Sequence, residues 1–248
     1  MPLDKKKCIV GLLTYNNGPN LEKTLLKFEK DFPFEVVVHV DGSNDGSDEC
    51  LKNFPFHVLR STTNSGVGRS AKNVIEYARK KGFEAVAIIP GNNKNDPREI
   101  SRLMEPILTG EADYVQGSRY LPGSNRDNTP LFRLVMVKVH ALLFSILTGK
   151  KCSDALEGFR AYKFSILDNP EIDIWQDWLD TYEYETYLHY KVLKLGYNYA
   201  EVPVSKVYPT NKKNILNRSG EHISHIRPIW DWWKILRPLI FLILRIKK

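Results

Sequence analysis

Residues 85–97, AVAIIPGNNKNDP, are the stretch that decides the fold of this chain. The stretch begins with five apolar residues, a run that predicts a strand buried on both faces, as in a parallel sheet. Pro90 and Gly91 predict the end of that strand, because proline has no N–H to donate within a sheet. Asp96 before Pro97 predicts the capped start of a helix. In open α/β sheets ligands bind at the carboxyl ends of strands, so this turn is a candidate site, although asparagine and glycine also build ordinary turns.

The first hundred residues repeat this alternation of strand and helix. Apolar runs at 8–14, 34–40 and 56–59 predict three more strands, and helices are predicted after Asn20 and over residues 71–81. Such alternation indicates βαβ units, so we predict an α/β fold with a mostly parallel sheet flanked by helices.

Polar loops follow several of the predicted strands. They lie around Tyr15, Asp41 and Asn92, and a fourth loop at 64–68 precedes a helix. Because the carboxyl ends of parallel strands share one edge of a sheet, these loops together predict a binding site. Backbone N–H groups at Gly66 could bind a phosphate there. The glycine spacing is neither that of a P-loop nor that of a dinucleotide-binding fingerprint.

The second half of the chain carries fewer polar loops. Residues 113–117 and 199–204 predict strands, and residues 182–195 predict a helix. The long apolar segment at 131–147 contains basic residues, so it predicts an amphipathic or partly buried helix rather than a membrane span. Asp154 lies near Arg160 in the sequence, and such a pair is either catalytic or a structural ion pair.

The positive charge is concentrated near the carboxyl terminus. The net charge is +7, and residues 206–248 carry ten Lys or Arg against two acidic residues. Residues 226–248 mix these cations with tryptophan and aliphatic residues, which favours a membrane surface over nucleic acid as the anionic partner. We therefore predict a helix in the headgroup layer, and the alternative is a helix that packs on the protein's own core or a second subunit.

Three cysteines at wide spacing form neither a disulfide nor a metal pattern, so they indicate a reducing compartment. The polar first seven residues and the strand-length run after them predict no secretory signal. The sequence carries no signal for an oligomeric state.

Six short motifs in order carry a family resemblance. They are LTYN at 13–16, DGSNDGS at 41–47, NSG at 64–66, GSRY at 117–120, GFRAY at 158–162 and EVPV at 201–204. With these motifs the chain resembles the inverting family-2 glycosyltransferases of the GT-A fold. It is most similar to the branch that contains the dolichyl- and polyprenyl-phosphate sugar synthases.

The resemblance implies a set of site residues. The nucleotide-sugar would be held by six of them: Thr14, Tyr15, Asn16, Asp41, Gly66 and Asn92. Arg119 and Arg133 look like the arginines that meet the donor or acceptor phosphates, and cations there would stabilise the diphosphate leaving group. Asp154 matches the acidic residue proposed as the general base, which a hydroxyl acceptor needs more than a phosphate acceptor does.

The sequence departs from the family at the metal site. The family pattern Asp-x-Asp aligns on Pro90 and Asn92, so both metal-binding aspartates are replaced. Mg²⁺ and Mn²⁺ prefer charged oxygens. We expect weak or absent dependence on either metal, with the Asn92 carbonyl as a neutral ligand or Lys94 supplying positive charge directly.

The expected organisation is a GT-A domain at residues 1–209 and a basic amphipathic helical tail at 210–248. The expected function is inverting transfer from a nucleotide-sugar to a membrane-associated acceptor, polyprenyl phosphate, by an enzyme peripheral on the cytoplasmic face of the membrane. One alternative is a glycan-chain transferase of lipopolysaccharide or capsule assembly, in which Asp154 deprotonates a sugar hydroxyl. Another is a catalytically impaired relative that only binds nucleotide-sugars. No nucleic-acid partner is expected.

Overall fold

A seven-stranded sheet forms the centre of the fold in the computed structural model, which describes residues 2–129, 131–208, 230–244 and 246. The strands are β1 (Cys8–Thr14), β2 (Glu35–Asp41), β3 (His57–Ser61), β4 (Ala85–Pro90), β5 (Tyr114–Ser118), β6 (Arg160–Lys163) and β7 (Tyr199–Pro203). Their order across the sheet is β3-β2-β1-β4-β6-β5-β7.

Most neighbouring strands run parallel, as the sequence predicts. The pairs β1–β2, β1–β4, β2–β3 and β5–β7 are parallel, and β6 is antiparallel to both β4 and β5. The sequence did not predict β6 as a strand. It is four residues long, which is too short for a periodic signal, and its register is set by its two neighbours.

The prediction that β4 ends before Pro90 is wrong by one residue. Pro90 pairs with Leu13 of β1, and the next N–H, that of Gly91, donates to the Leu13 carbonyl at 2.8 Å. Because N–H groups alternate in direction along a strand, the proline nitrogen faces the side of β6. The β4–β6 ladder has already ended there, with Arg160 opposite Ile88. The missing donor of Pro90 therefore costs no ladder hydrogen bond.

Six α-helices accompany the sheet in the described part of the chain. They are α1 (Pro19–Leu25), α2 (Val67–Lys80), α3 (Ile100–Thr109), α4 (Leu131–Thr148), α5 (Glu183–Lys194) and α6 (Trp230–Ile243). The Asp96 cap is confirmed, since its carboxylate accepts from the Arg98 N–H at 3.0 Å. The apolar spacing after Asn20 also predicts Leu26 on the buried face of the first helix, but Leu26 lies beyond the end of α1 and is 69% exposed.

The core occupies both faces of the sheet. Val10 and Leu12 of β1 pack in one apolar cluster with residues of α1 and α3, while Ile9 and Leu13 pack in the opposite cluster with α2 and α5. Successive residues of a strand face opposite sides of the sheet, so a strand buried on both faces, such as β1, needs apolar residues at odd and even positions alike. Burying each such side chain stabilises the fold by about 1.5–3 kcal/mol. Helices on both faces thus hold the carboxyl edge of the strands in place.

The C-terminal helix α6 packs on the rest of the chain along one face. Ile235 and Leu239 are buried, Arg237 forms an ion pair with Glu183 at the start of α5, and the Thr186 hydroxyl donates to the Ile235 carbonyl. The predicted domain boundary at residue 209 lies outside the described residues. Searched across the described residues, the helices include none with the length and apolar character needed to cross a membrane.

Candidate active site

A cavity of about 380 Å³ opens at the carboxyl ends of β1, β2 and β4. Seven of the predicted site residues line it: Thr14, Tyr15, Asp41, Gly66, Asn92, Arg119 and Arg133. Asn16 and Asp154 are not among its lining residues. Thr14 and Asp41 end β1 and β2, Tyr15 follows β1 and Gly66 precedes α2, and we call these four residues the sheet-edge group.

Asp41 ties one loop of the cavity to the sheet. It is the last residue of β2, it is buried, and its carboxylate accepts from the backbone N–H groups of Ser65 and Gly66 and from the Ser65 hydroxyl, at 2.7–3.2 Å. The Gly66 N–H, which the sequence suggested for a phosphate, is therefore already donated to Asp41. Hydrogen bonds to a charged group contribute about 1.5–3 kcal/mol each, so Asp41 fixes the start of α2.

The two glycines beside Asp41 serve close packing. A Cβ on Gly68 would lie 2.0 Å from the Leu179 carbonyl oxygen, and one on Gly66, which has φ +102°, would lie 2.4 Å from the Asp180 oxygen. The buried Lys72 holds the same segment through the Asp180 carboxylate at 2.7 Å. Residues 179–180 thus approach α2 closely, and the next two residues, 181 and 182, line the cavity.

Asn16 joins two loops beside the cavity. Its backbone N–H donates to the Ser43 hydroxyl at 3.1 Å, and its side-chain amide exchanges two hydrogen bonds with Asn44. Asn16 has φ +45°, a conformation that asparagine tolerates better than most residues. These contacts hold the loop after β1 against the loop after β2.

Asp154 is paired with Arg119 and not with Arg160, its neighbour in the sequence. Its carboxylate is fully buried and accepts from Arg119 Nε at 2.6 Å and Nη2 at 2.8 Å, in a bidentate geometry. Arg160, the neighbour in sequence, instead donates to the Tyr114 hydroxyl and the Glu157 carbonyl. Asp154 thus lies behind Arg119 and holds that side chain at the cavity.

Glu157 forms a second buried acidic contact behind the cavity. It lies 3.2 Å from Arg119 Nε and accepts from Lys206 Nζ at 3.0 Å. Burial opposes ionisation of Glu157, but Lys206 and Arg119 outweigh burial and lower the pKa of Glu157 below its ordinary value. The two buried carboxylates therefore orient two cations of the cavity.

Five cationic side chains line the cavity: Lys94, Arg119, Arg133, Lys206 and Lys234. We call them the cationic group. The lining carboxylates of the described residues are Asp41 and Glu185. An excess of positive charge in a partly enclosed space attracts phosphates. Lys206 and Lys234 were not predicted, because the sequence assigned the charge of this region to a membrane surface. Glu185 was missed as well, since a helix pattern alone gave no sign that it faces a cavity.

Tyr208 links two of the cations. Lys94 Nζ lies 5.4 Å and the Arg133 guanidinium 5.7 Å from the centre of its ring, and Arg133 Nη1 donates to its hydroxyl at 2.7 Å. Burial first, then Lys206 and Arg133, lower the pKa of Lys94 to about 7, against the opposing pull of Glu157. Lys206 and Arg133 thus lie close enough to Lys94 to disfavour its protonated form. A bound anion would offset this repulsion.

The residues at the family's metal position do not fit Mg²⁺ or Mn²⁺. Pro90 offers no side-chain ligand, and the Asn92 amide oxygen accepts the backbone N–H of Lys94 at 3.2 Å. Over the described residues, no three His, Cys, Asp or Glu side chains cluster in a way that would hold a metal ion. Hard dications bind charged oxygens, whereas the residues of this loop that line the cavity offer one side-chain oxygen, the neutral one of Asn92, beside Lys94.

Comparison with known proteins identifies the family. The model of glycosyl transferase family 2 matches residues 9–169. The chain belongs to glycosyl transferase family 2. This family 2 glycosyltransferase is 27% identical over 225 residues to the polyprenol monophosphomannose synthase of Mycolicibacterium smegmatis, covering 88% of this chain and 83% of that protein. It is 28% identical over 200 residues to the undecaprenyl-phosphate mannosyltransferase of Micrococcus luteus, and the match covers 78% of this chain and 81% of that protein.

Solved structures confirm the GT-A fold of this glycosyltransferase. The glucosyl-3-phosphoglycerate synthase of Mycobacterium tuberculosis, in a complex with Mn²⁺, UDP and glucosyl-3-phosphoglycerate, superposes with a TM-score of 0.65. The match covers 97% of this chain and 79% of that chain at 17% identity, so the likeness is one of fold.

Proposed function

We propose that this glycosyltransferase moves a sugar from a nucleotide-sugar to polyprenyl phosphate, with inversion at the anomeric carbon. The observation that carries the proposal is the cationic group at the carboxyl edge of the sheet. Both proposed substrates carry phosphate next to the reacting bond, and cations at that place stabilise both. The relatives named for polyprenol, undecaprenyl and dolichol phosphate support the acceptor class.

The sheet-edge group is the proposed nucleoside site. Thr14, Tyr15 and Asp41 lie where β1 and β2 end, and ligands of open α/β sheets bind at such ends. The Asp41 carboxylate accepts several bonds from the 65–66 backbone, so its proposed part is to shape this site as well as to border it.

The proposed chemistry is a single displacement. A phosphate oxygen of the acceptor forms a bond to the anomeric carbon while the bond from that carbon to the donor diphosphate breaks. One displacement inverts the configuration, and the electron pair leaves with the diphosphate. The acceptor phosphate is already an anion, so the step needs no base. Asp154, which the resemblance offered as a base, is fully buried and paired with Arg119. We therefore assign it to positioning Arg119 against the phosphates.

Two helices support a proposed peripheral position on the membrane. Five of the six exposed large apolar residues of α4 are spaced three or four apart, which places them along one side of the helix: Leu131, Val135, Val139, Leu142 and Ile146. Arg133 and Val137 of the same helix line the cavity. Helix α6 likewise combines a buried face with exposed Trp233, Ile240 and Ile243. A lipid acceptor lying against α4 would thus reach the cavity without leaving the membrane. Free thiols at Cys8, Cys50 and Cys152 favour the cytoplasmic face.

The test is transfer from a panel of UDP- and GDP-linked sugars to polyprenyl phosphate in detergent, with polyprenol lacking the phosphate as the matched acceptor. We expect a product that extracts into organic solvent, forms only from the phosphate and has inverted anomeric configuration by NMR. Transfer to water-soluble glycans alone would favour the glycan-chain alternative. Nucleotide-sugar binding without transfer to either acceptor would favour the impaired relative.

A further inference from the structure

The loop between β4 and α3 presents a lysine to the cavity where its relatives' pattern has metal-binding aspartates. Pro90, Asn92 and Lys94 are the residues of this loop that line the cavity. Neither Pro90 nor Asn92 offers a charged oxygen, and the Asn92 amide oxygen already accepts the Lys94 N–H. The loop therefore contributes one positive charge to the cavity rather than a cation ligand.

The position of Lys94 is fixed by contacts to a distant segment. Its carbonyl accepts the Val207 N–H at 2.9 Å, and its ammonium lies over the ring of the buried Tyr208. Arg133 of α4 donates to the hydroxyl of the same tyrosine. Tyr208 thus holds an ammonium and a guanidinium from two remote parts of the chain next to each other at one side of the cavity.

We propose that Lys94 and Arg133 supply the positive charge for the donor diphosphate, so that this enzyme binds nucleoside diphosphates without a divalent metal. This inference rests on the proposed function, because it concerns the donor of that reaction. With Lys94 protonated, the two side chains provide the same total charge as one dication. They are also preorganised, so they stabilise the charge that grows on the leaving diphosphate without rearrangement.

The charges of the cavity favour cationic side chains over a metal in this place. Lys206 and Arg119 line the same cavity, and Glu157 lies behind them in contact with both. A dication placed beside Asn92 would gain one neutral ligand and would meet Lys94 of the same loop. Charge repulsion in a partly buried space is screened far less than at the surface.

The test is calorimetric binding of UDP, GDP and the matching nucleosides to the full chain, with EDTA and separately with Mn²⁺. The variant is Lys94→Gln, and the control is Lys30→Gln, which removes an exposed lysine that does not line the cavity. We expect a nucleoside diphosphate to bind equally well with EDTA and Mn²⁺. Lys94→Gln should weaken that binding at least about tenfold and leave nucleoside binding unchanged, as expected for a lost contact between charges. Lys94→Arg should retain most of the affinity.

Each other outcome overturns the proposal in a distinguishable way. Binding that requires Mn²⁺ would reject metal-free recognition and leave the proposed function standing. Equal weakening of diphosphate and nucleoside by Lys94→Gln, or loss of folding in both Lys94 variants, would make Lys94 a packing residue. Absence of binding by every nucleotide, with and without metal, would reject the proposed function as well.

Discussion

The sheet-edge group and the cationic group border the same cavity but are built in different ways. The sheet-edge group comes from residues 14–66, where each member ends or follows a strand or precedes a helix of the same βαβ series. The cationic group is collected from the β4–α3 loop, the end of β5, α4, the segment after β7 and α6. The difference teaches that the proposed nucleoside side of this site is set by local topology, whereas the proposed phosphate side depends on long-range packing.

Breaking the buried support of the cationic group should have the largest effect. Asp154→Ala leaves the Arg119 guanidinium buried without the carboxylate that now accepts two of its N–H groups. Removing one partner of a buried ion pair costs about 3–5 kcal/mol of unfolding free energy. Urea denaturation would measure this loss.

The matched control for that variant is Asp168→Ala, which removes an exposed partner of Arg79. Exposed pairs contribute about 0–1 kcal/mol, so the control should stay within that range. Equal losses in the two variants would show that the Asp154–Arg119 pair is not buried as described.

A substitution in the sheet-edge group should have a smaller effect, and we expect it in the affinity for a nucleoside. Asp41→Ala removes the acceptor for the N–H groups of Ser65 and Gly66. Nucleoside binding should therefore become weaker by about 1.5–3 kcal/mol. Calorimetry with a nucleoside measures this, and Asp31→Ala at an exposed position is the control. Unchanged nucleoside affinity would remove Asp41 from the site.

The pH dependence should separate the two groups further. Burial, then Lys206 and Arg133, lower the pKa of Lys94 to about 7, so in the enzyme without bound nucleotide Lys94 loses its proton as pH rises through that value. A diphosphate favours the protonated amine, and its affinity should therefore fall as pH rises from 6 to 8. We expect an affinity loss of up to about tenfold, which corresponds to a rise of one unit in the pKa of Lys94 when the diphosphate binds. Nucleoside affinity should stay flat, and a parallel fall for the nucleoside would contradict the division between the groups.

The smallest effect on diphosphate affinity is expected at Lys234, the part-exposed member of the cationic group. Lys234 of α6 is part-exposed, so Lys234→Gln should weaken diphosphate binding by only about threefold, in line with screened surface pairs. The loss should shrink at high salt. An effect as large as that of Lys94→Gln would mean that α6 supplies a principal phosphate contact.

The sequence predicted the sheet-edge group because its signals are local. The apolar runs that became β1 and β2 placed Thr14 and Asp41 at strand ends, and parallel register put those ends on one edge. The motif resemblance supplied Arg119 and Arg133 without any account of what holds them.

The cationic group was predicted only in part because its packing is not encoded nearby. Asp154 pairs with Arg119, which is 35 residues away, rather than with the neighbouring Arg160. Helix α6 has the same amphipathic pattern whether it meets lipid or protein. In the structure, the burial of Ile235 and Leu239 and the contacts of α6 to α5 show that one face packs on protein and brings Lys234 to the cavity.

The most direct test is a crystal structure of the enzyme with a nucleoside diphosphate and Mn²⁺, with an anomalous map collected at the manganese edge. The account predicts a nucleoside against Thr14 and Asp41, phosphate oxygens within hydrogen-bond distance of Lys94 and Arg133, and no anomalous peak between Asn92 and the diphosphate. A manganese peak coordinated by Asn92 and the phosphates, or phosphates remote from Lys94, would contradict it.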